Sequence, residues 1–137
     1  MAKRIEAYVD TSALIAFADR SDTHHALFAR LFSDAPRLAT STLVIAEGHG
    51  WFLKRYDRIR ALQFLGMVEA MRPLRILSVG HREQKAAQRI LAEFSDQDLT
   101  LADASGLYFL ESLRVRSCWS TDFHLGLTGV PLVIHQH

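Results

Sequence analysis

KRIEAYVDTSALIAFAD, residues 3–19, is the stretch whose reading decides the fold. Residues 5–9 are apolar and β-prone and run up to one carboxylate, Asp10. Thr11 and Ser12 follow, and 12–18 reads as an apolar helix with Asp10 or Thr11 near its cap. A buried strand that passes almost directly into a helix is the first half of a βαβ unit. Two roles are open to Asp10: an ordinary helix cap, or one wall of a metal site at the seam.

Working outward, SDTHH (21–25) offers Ser21 or Asp22 as the cap of a second helix over 24–33, which Pro36 ends. RLAT (37–40) reads as a short strand, and 42–55 and 57–71 read as a third and fourth helix. Pro73 breaks the chain before a strand at 74–79, and a helix follows at 81–94. The loop FSDQD leads into a helix at 101–113, and VRSCWS (115–120) and VPLVIH (130–135) read as the closing strands. This alternation predicts an α/β sandwich with a central, mainly parallel sheet flanked by helices. In such sheets ligands bind beyond the carboxyl ends of the strands. Asp10 ends one strand, and Asp122 lies just beyond another.

The 137 residues suit one domain over 1–137. A hydrophobic share of 49% with 23% charged residues favours a packed core over disorder. No apolar run approaches the ~20 residues that span a bilayer, so no membrane association is expected. The start MAKRIEAYVD lacks the long apolar core of a signal peptide, and Glu6 and Asp10 interrupt it. Cys118 is the single cysteine, which excludes an intrachain disulfide and fits a reducing cytoplasm.

Two more acids stand in apolar surroundings. On a helix, Glu47 has Leu43, Val44 and Trp51 as neighbours, which places it on the stripe expected to face the core. A buried carboxylate must be paired, protonated or bound to a metal; the alternative is a stripe edge that reaches water or an arginine. Gly48 and Gly50 weaken this helix or allow close packing. Asp103 has Leu99 and Leu107 as its i−4 and i+4 neighbours, yet Thr100-Leu101-Ala102-Asp103 also fits a capping box. Asp98, just before this helix, reads as a loop residue, with a second acid at the site as the alternative. Asp122 alone would pass for a turn residue. Taken together, Asp10, Glu47, Asp103 and Asp122 can meet at one sheet edge. Such a cluster repels itself unless cations bind, and hard oxygen donors suit Mg²⁺ or Mn²⁺ and phosphodiester hydrolysis.

These segments resemble the PIN-domain ribonucleases, especially the VapC-type toxins of toxin–antitoxin pairs. YVDTSALIA resembles the family's opening strand and helix, TSTLVIAEGHGWFLKR its acidic helix, and DLTLADASGLYFLESLRVRSCWSTDFHLGLTGVPLV its closing signature. The resemblance runs from residue 5 to about 134. It implies a PIN-like fold in which Asp10, Glu47, Asp103 and Asp122 bind Mg²⁺ or Mn²⁺ and activate water to cut RNA. Ser12 and Ser120 fall where family members often carry hydroxyls near the site. It further implies a cognate antitoxin laid beside the third and fourth helices, and a homodimer. Phe123 and Leu125 depart from the family pattern and bear on local packing.

With those four acids set aside, 16 basic residues face 11 acidic ones, a mildly basic body around an acidic site. Arg55, Arg58 and Arg60, or Arg114 and Arg116, could hold RNA phosphates or simply form a solvated face. The seven histidines lack a ligand spacing and are expected at the surface or against phosphate. Three competing readings are a housekeeping RNA-processing nuclease, a non-cleaving RNA- or partner-binding module, and a phosphatase. An aspartyl-nucleophile phosphatase would want a second aspartate where Ser12 stands.

Overall fold

Ala7, Tyr8 and Val9 form β1 and are all buried, as are Leu38–Ser41 of β2. Strands buried on both faces need cover above and below, and parallel sheets obtain it from crossover helices. The structure, a computed structural model, describes residues 4–137. Residues 1–3, which open the expected domain and contribute Lys3 to the basic start, lie outside the described residues. The order is β1 (Ala7–Val9), α1 (Thr11–Ala18), α2 (His25–Ser33), β2 (Leu38–Ser41), α3 (Thr42–Arg55), α4 (Arg58–Ala70), β3 (Leu74–Leu77), α5 (His81–Glu93), α6 (Leu101–Ser112) and β4 (Ser117–Trp119).

The four strands lie in the order β3-β2-β1-β4, and every pair is parallel. Ala7 stands between Leu38 and Ser117, and Leu38 stands opposite Leu74. The expected α/β architecture is therefore present, with a wholly parallel sheet among the described strands. All four carboxyl ends lie at one edge.

The expected strand over 130–135 is absent. Cys118 N–H donates to the Pro131 carbonyl at 2.9 Å, and one bridge joins Cys118 to Leu132. Pro131 has no N–H to extend a ladder, and Val133–His135 turns into a 3-10 segment.

Close packing fixes the helices that carry the site. A Cβ on Gly48 would lie 2.3 Å from Cζ of Phe64, so the Phe64 ring rests on the α3 backbone. A Cβ on Gly106 would meet Leu125 Cδ1 at 2.8 Å. That contact holds α6 against the 3-10 turn Phe123–Gly126, which follows Asp122. Of the two residues that depart from the family pattern, Leu125 is fully buried there and Phe123 is exposed. Among the described residues no helix is long and apolar enough to cross a membrane.

Candidate metal centre

Asp10 continues the β1–β4 ladder, with its N–H donating to the Trp119 carbonyl at 3.0 Å. Its own carbonyl receives the Ala13 and Leu14 amides at 3.2 and 3.4 Å, and its side chain makes no cap bond to α1. Neither hydroxyl takes over the cap, because Thr11 Oγ1 is buried without a partner and Ser12 is engaged elsewhere. Ser120 Oγ donates to Asp10 Oδ2 at 3.0 Å, and Ser12 Oγ lies 3.3 Å from the same oxygen. Each serine in turn accepts a backbone N–H, Ser12 from Thr121 and Ser120 from Asp122, both at 2.9 Å. The two hydroxyls thus tie Asp10 to the segment that follows β4.

Burial pushes the Asp10 carboxyl up to about 6. The Thr11 backbone and the Ser120 hydroxyl pull it down, while the charges of Asp103 and Glu47 raise it further. Both acids therefore face Asp10 closely enough to be felt.

Asp103 is buried and does two things. Its Oδ2 accepts the Thr100 N–H, and its own N–H donates to Thr100 Oγ1, both at 3.0 Å, which closes a capping box on α6. It also offers one ligating atom to a group with Asp122 and His124, in which all three such atoms lie within 4.8 Å of one another. Asp122 Oδ1 accepts the His124 N–H at 3.0 Å and lies 3.0 Å from His124 Nδ1.

Glu47 departs from the expectation of burial: it is exposed. The buried stripe of α3 is Val44, Gly48 and Phe52, one residue around the helix from Glu47. Asp10 and Glu47 both stand outside the Asp103–Asp122–His124 group; Ser120 ties Asp10 to it, and Glu47 bears on Asp10 through its charge. Asp98 is exposed in the loop before α6 and also lies outside the group. His124, expected like the other histidines at the surface or against phosphate, lies beside Asp103 and Asp122. The signal for it was its place two residues after Asp122, where a short turn folds the ring back onto the carboxylate.

No lysine or arginine is ion-paired to any of these acids among the described residues. Asp103 and Asp122 lie together beside a buried Asp10 whose pKa burial raises to about 6, an arrangement that a cation would relieve. The carboxylate oxygens fit Mg²⁺ or Mn²⁺, whereas the imidazole is not a donor that Mg²⁺ favours and its Nδ1 already faces Asp122. Of the expected phosphate-holding arginines, Arg60 lies over the Tyr56 ring at 4.4 Å and Arg55 lies 5.8 Å from it. The Tyr56 hydroxyl donates to Asp19 Oδ2 at 2.8 Å. Arg116 pairs with Glu6 at 3.9 Å.

Comparison with known proteins shows the family and the fold. The PIN domain family model matches residues 7–106. Ribonuclease VapC26 of Mycobacterium tuberculosis is 29% identical over 115 residues, which cover 83% of this chain and 84% of that protein. The fold superposes on Mycobacterium tuberculosis VapC20, described as a sarcin-ricin loop cleaving toxin. The TM-score is 0.83 at 19% identity, covering 91% of this chain and 96% of that one. It also superposes on a chain of a toxin–antitoxin complex from Klebsiella pneumoniae, with a TM-score of 0.61 at 20% identity and coverage of 92% and 93%.

Proposed function

Because the chain belongs to the PIN domain family, we propose that it is a metal-dependent endoribonuclease acting as the toxin of a toxin–antitoxin pair. The observation that carries this reading is the meeting of Asp103 and Asp122, tied to the buried Asp10 through Ser120, with no lysine or arginine paired to them among the described residues. Asp10, Glu47, Asp103 and Asp122 would hold Mg²⁺ or Mn²⁺, with His124 beside Asp122. A bound ion of this kind lowers the pKa of water and offsets the charge that builds on a phosphate under attack.

The chain's own residues supply the framework. Ser12 and Ser120 fix one oxygen of Asp10, and the capping box fixes Asp103, so both carboxylates are oriented before substrate arrives. Burial removes competing water from Asp10. Glu47, at the exposed rim, can approach the ion and the RNA together. His124, hydrogen-bonded to Asp122, can orient that carboxylate.

The toxin role draws on the VapC26 relative and the Klebsiella complex. A protein antitoxin and a second copy of the chain are the partners that follow from it. Exposed Leu53, Ile59 and Leu62 on α3 and α4 supply apolar surface for such contacts. An RNA substrate and a lone, buried Cys118 go with a cytoplasmic location.

The test is direct. Purified protein should cut RNA with Mg²⁺ or Mn²⁺ and stop when EDTA is added. Expression should arrest growth, and a small protein encoded beside it should relieve the arrest. An Asp10→Asn chain that cuts as fast as the parent would overturn the assignment of the site. Cleavage without growth arrest would favour a housekeeping nuclease instead.

A further inference from the structure

The opposite edge of the sheet, where the strands begin, carries the complementary charge. Backbone hydrogen bonds align that edge: Leu38 N–H donates to the Pro73 carbonyl at 2.9 Å, Glu6 N–H to the Arg37 carbonyl at 2.8 Å, and Arg116 N–H to the Glu6 carbonyl at 3.1 Å. The row therefore holds Arg37 beside Pro73 on one flank and Glu6 with Arg116 on the other. Glu6 is the acid in this row, and its carboxylate is taken up by Arg116. Arg37, Arg72 and Arg75 are exposed and have no ion-pair partner among the described residues.

These three arginines line a cleft of about 440 Å³ whose walls are Ile5, Leu38, Pro73 and Leu74. The chain as a whole is almost neutral, at +1, so three unpaired guanidinium groups around one cleft are a local concentration of charge. Guanidinium forks match phosphate oxygens in pairs, and apolar walls strengthen the attraction by limiting solvent.

We propose that the cleft lined by Arg37, Arg72 and Arg75 binds backbone phosphates of the RNA, away from the scissile bond. The proposal rests on the nuclease reading for the identity of the polyanion. The four residues of β2 separate the two edges by about 13 Å at ~3.3 Å per residue, so one phosphate cannot reach both. The acidic centre repels RNA until it is neutralised, so a basic edge is needed to retain a long substrate. A short oligonucleotide seated at the centre would leave the cleft empty.

The experiment compares the full chain with Arg37→Gln/Arg72→Gln/Arg75→Gln. The control, Arg82→Gln/Lys85→Gln/Arg89→Gln, removes the same charge from exposed positions on α5. Binding to a hairpin transcript is measured in EDTA over a salt series, and cleavage of a dinucleotide, too short to span the two edges, is measured with Mn²⁺. The cleft variant should bind the transcript about tenfold or more weakly at 0.1 M salt. Its slope of log K against log salt should fall by about 2, close to 0.7 for each lost phosphate contact. Its kcat/KM on the dinucleotide should match the parent. Affinity and slope equal to those of the α5 control would overturn the proposal. So would a polyglutamate peptide that displaces the transcript from the cleft as well as an RNA of equal charge. If the parent cuts neither RNA while the cleft variant still loses affinity, the nuclease reading fails and the phosphate cleft stands.

Discussion

Asp10 is ionised at neutral pH against the pull of its surroundings. Its folded pKa of about 6 lies above the ordinary 3.8, so between those values the folded chain holds a proton that the unfolded chain has released. Stability therefore falls as pH rises through this window, and above about pH 6 the full penalty is present. At ~1.4 kcal/mol per pH unit the penalty is about 3 kcal/mol. In EDTA at pH 7.5, Asp10→Asn should melt above the parent, and the gap should close as pH falls toward 4. The same variant should lose RNA cleavage by about two orders of magnitude or more, since even groups behind metal ligands are worth 10–100-fold. His124→Ala should raise the Mn²⁺ concentration for half-maximal cleavage about tenfold, read from a metal titration. Asp10, Asp103 and Asp122 were legible in sequence because each sits where a strand ends or a helix begins. The side of α3 that is covered was not legible. Leu43-Glu47-Trp51 and Val44-Gly48-Phe52 are equally regular stripes, and the glycine in the second receives Phe64 and so decides which is buried. His124 escaped notice because a 3-10 turn, not a helical spacing, brings it to Asp122.

The elements themselves were readable nearly throughout, because each strand and helix carries its own period and breaker. The segment 130–135 failed as a strand although its composition favours one, since Pro131 breaks the ladder that apolarity alone would suggest. Two glycines of α3 give opposite predictions. Gly48→Ala should lower stability by about 1–3 kcal/mol, read as a lower urea midpoint, because the buried Phe64 ring must shift off the α3 backbone. Gly50 has nothing within 4 Å of an added Cβ, so Gly50→Ala should raise stability by up to about 1 kcal/mol. At α6, Thr100→Ala removes the cap and should lower stability by about 1 kcal/mol. It also frees Asp103 to rotate, so cleavage should fall although no ligand has been removed.

On the scale of the whole molecule, folding and ion binding act on one equilibrium. An ion that binds the folded acids stabilises by about 2.7 kcal/mol at a hundredfold excess over its Kd, which for a chain of this size is a rise in Tm of about 10 °C. Thermal melts in Mn²⁺ and in EDTA measure it, and the difference should vanish in Asp10→Asn. The strand order adds a constraint in time. The hydrogen bond from Ser120 to Asp10 joins residues 110 positions apart, and β1 lacks one neighbour until β4 docks. A ribosome that has released residues up to 116 has delivered three strands, but neither Ser120 nor Asp122. On the proposed nuclease reading, the growing chain thus lacks part of its site beside the ribosome until synthesis has passed β4.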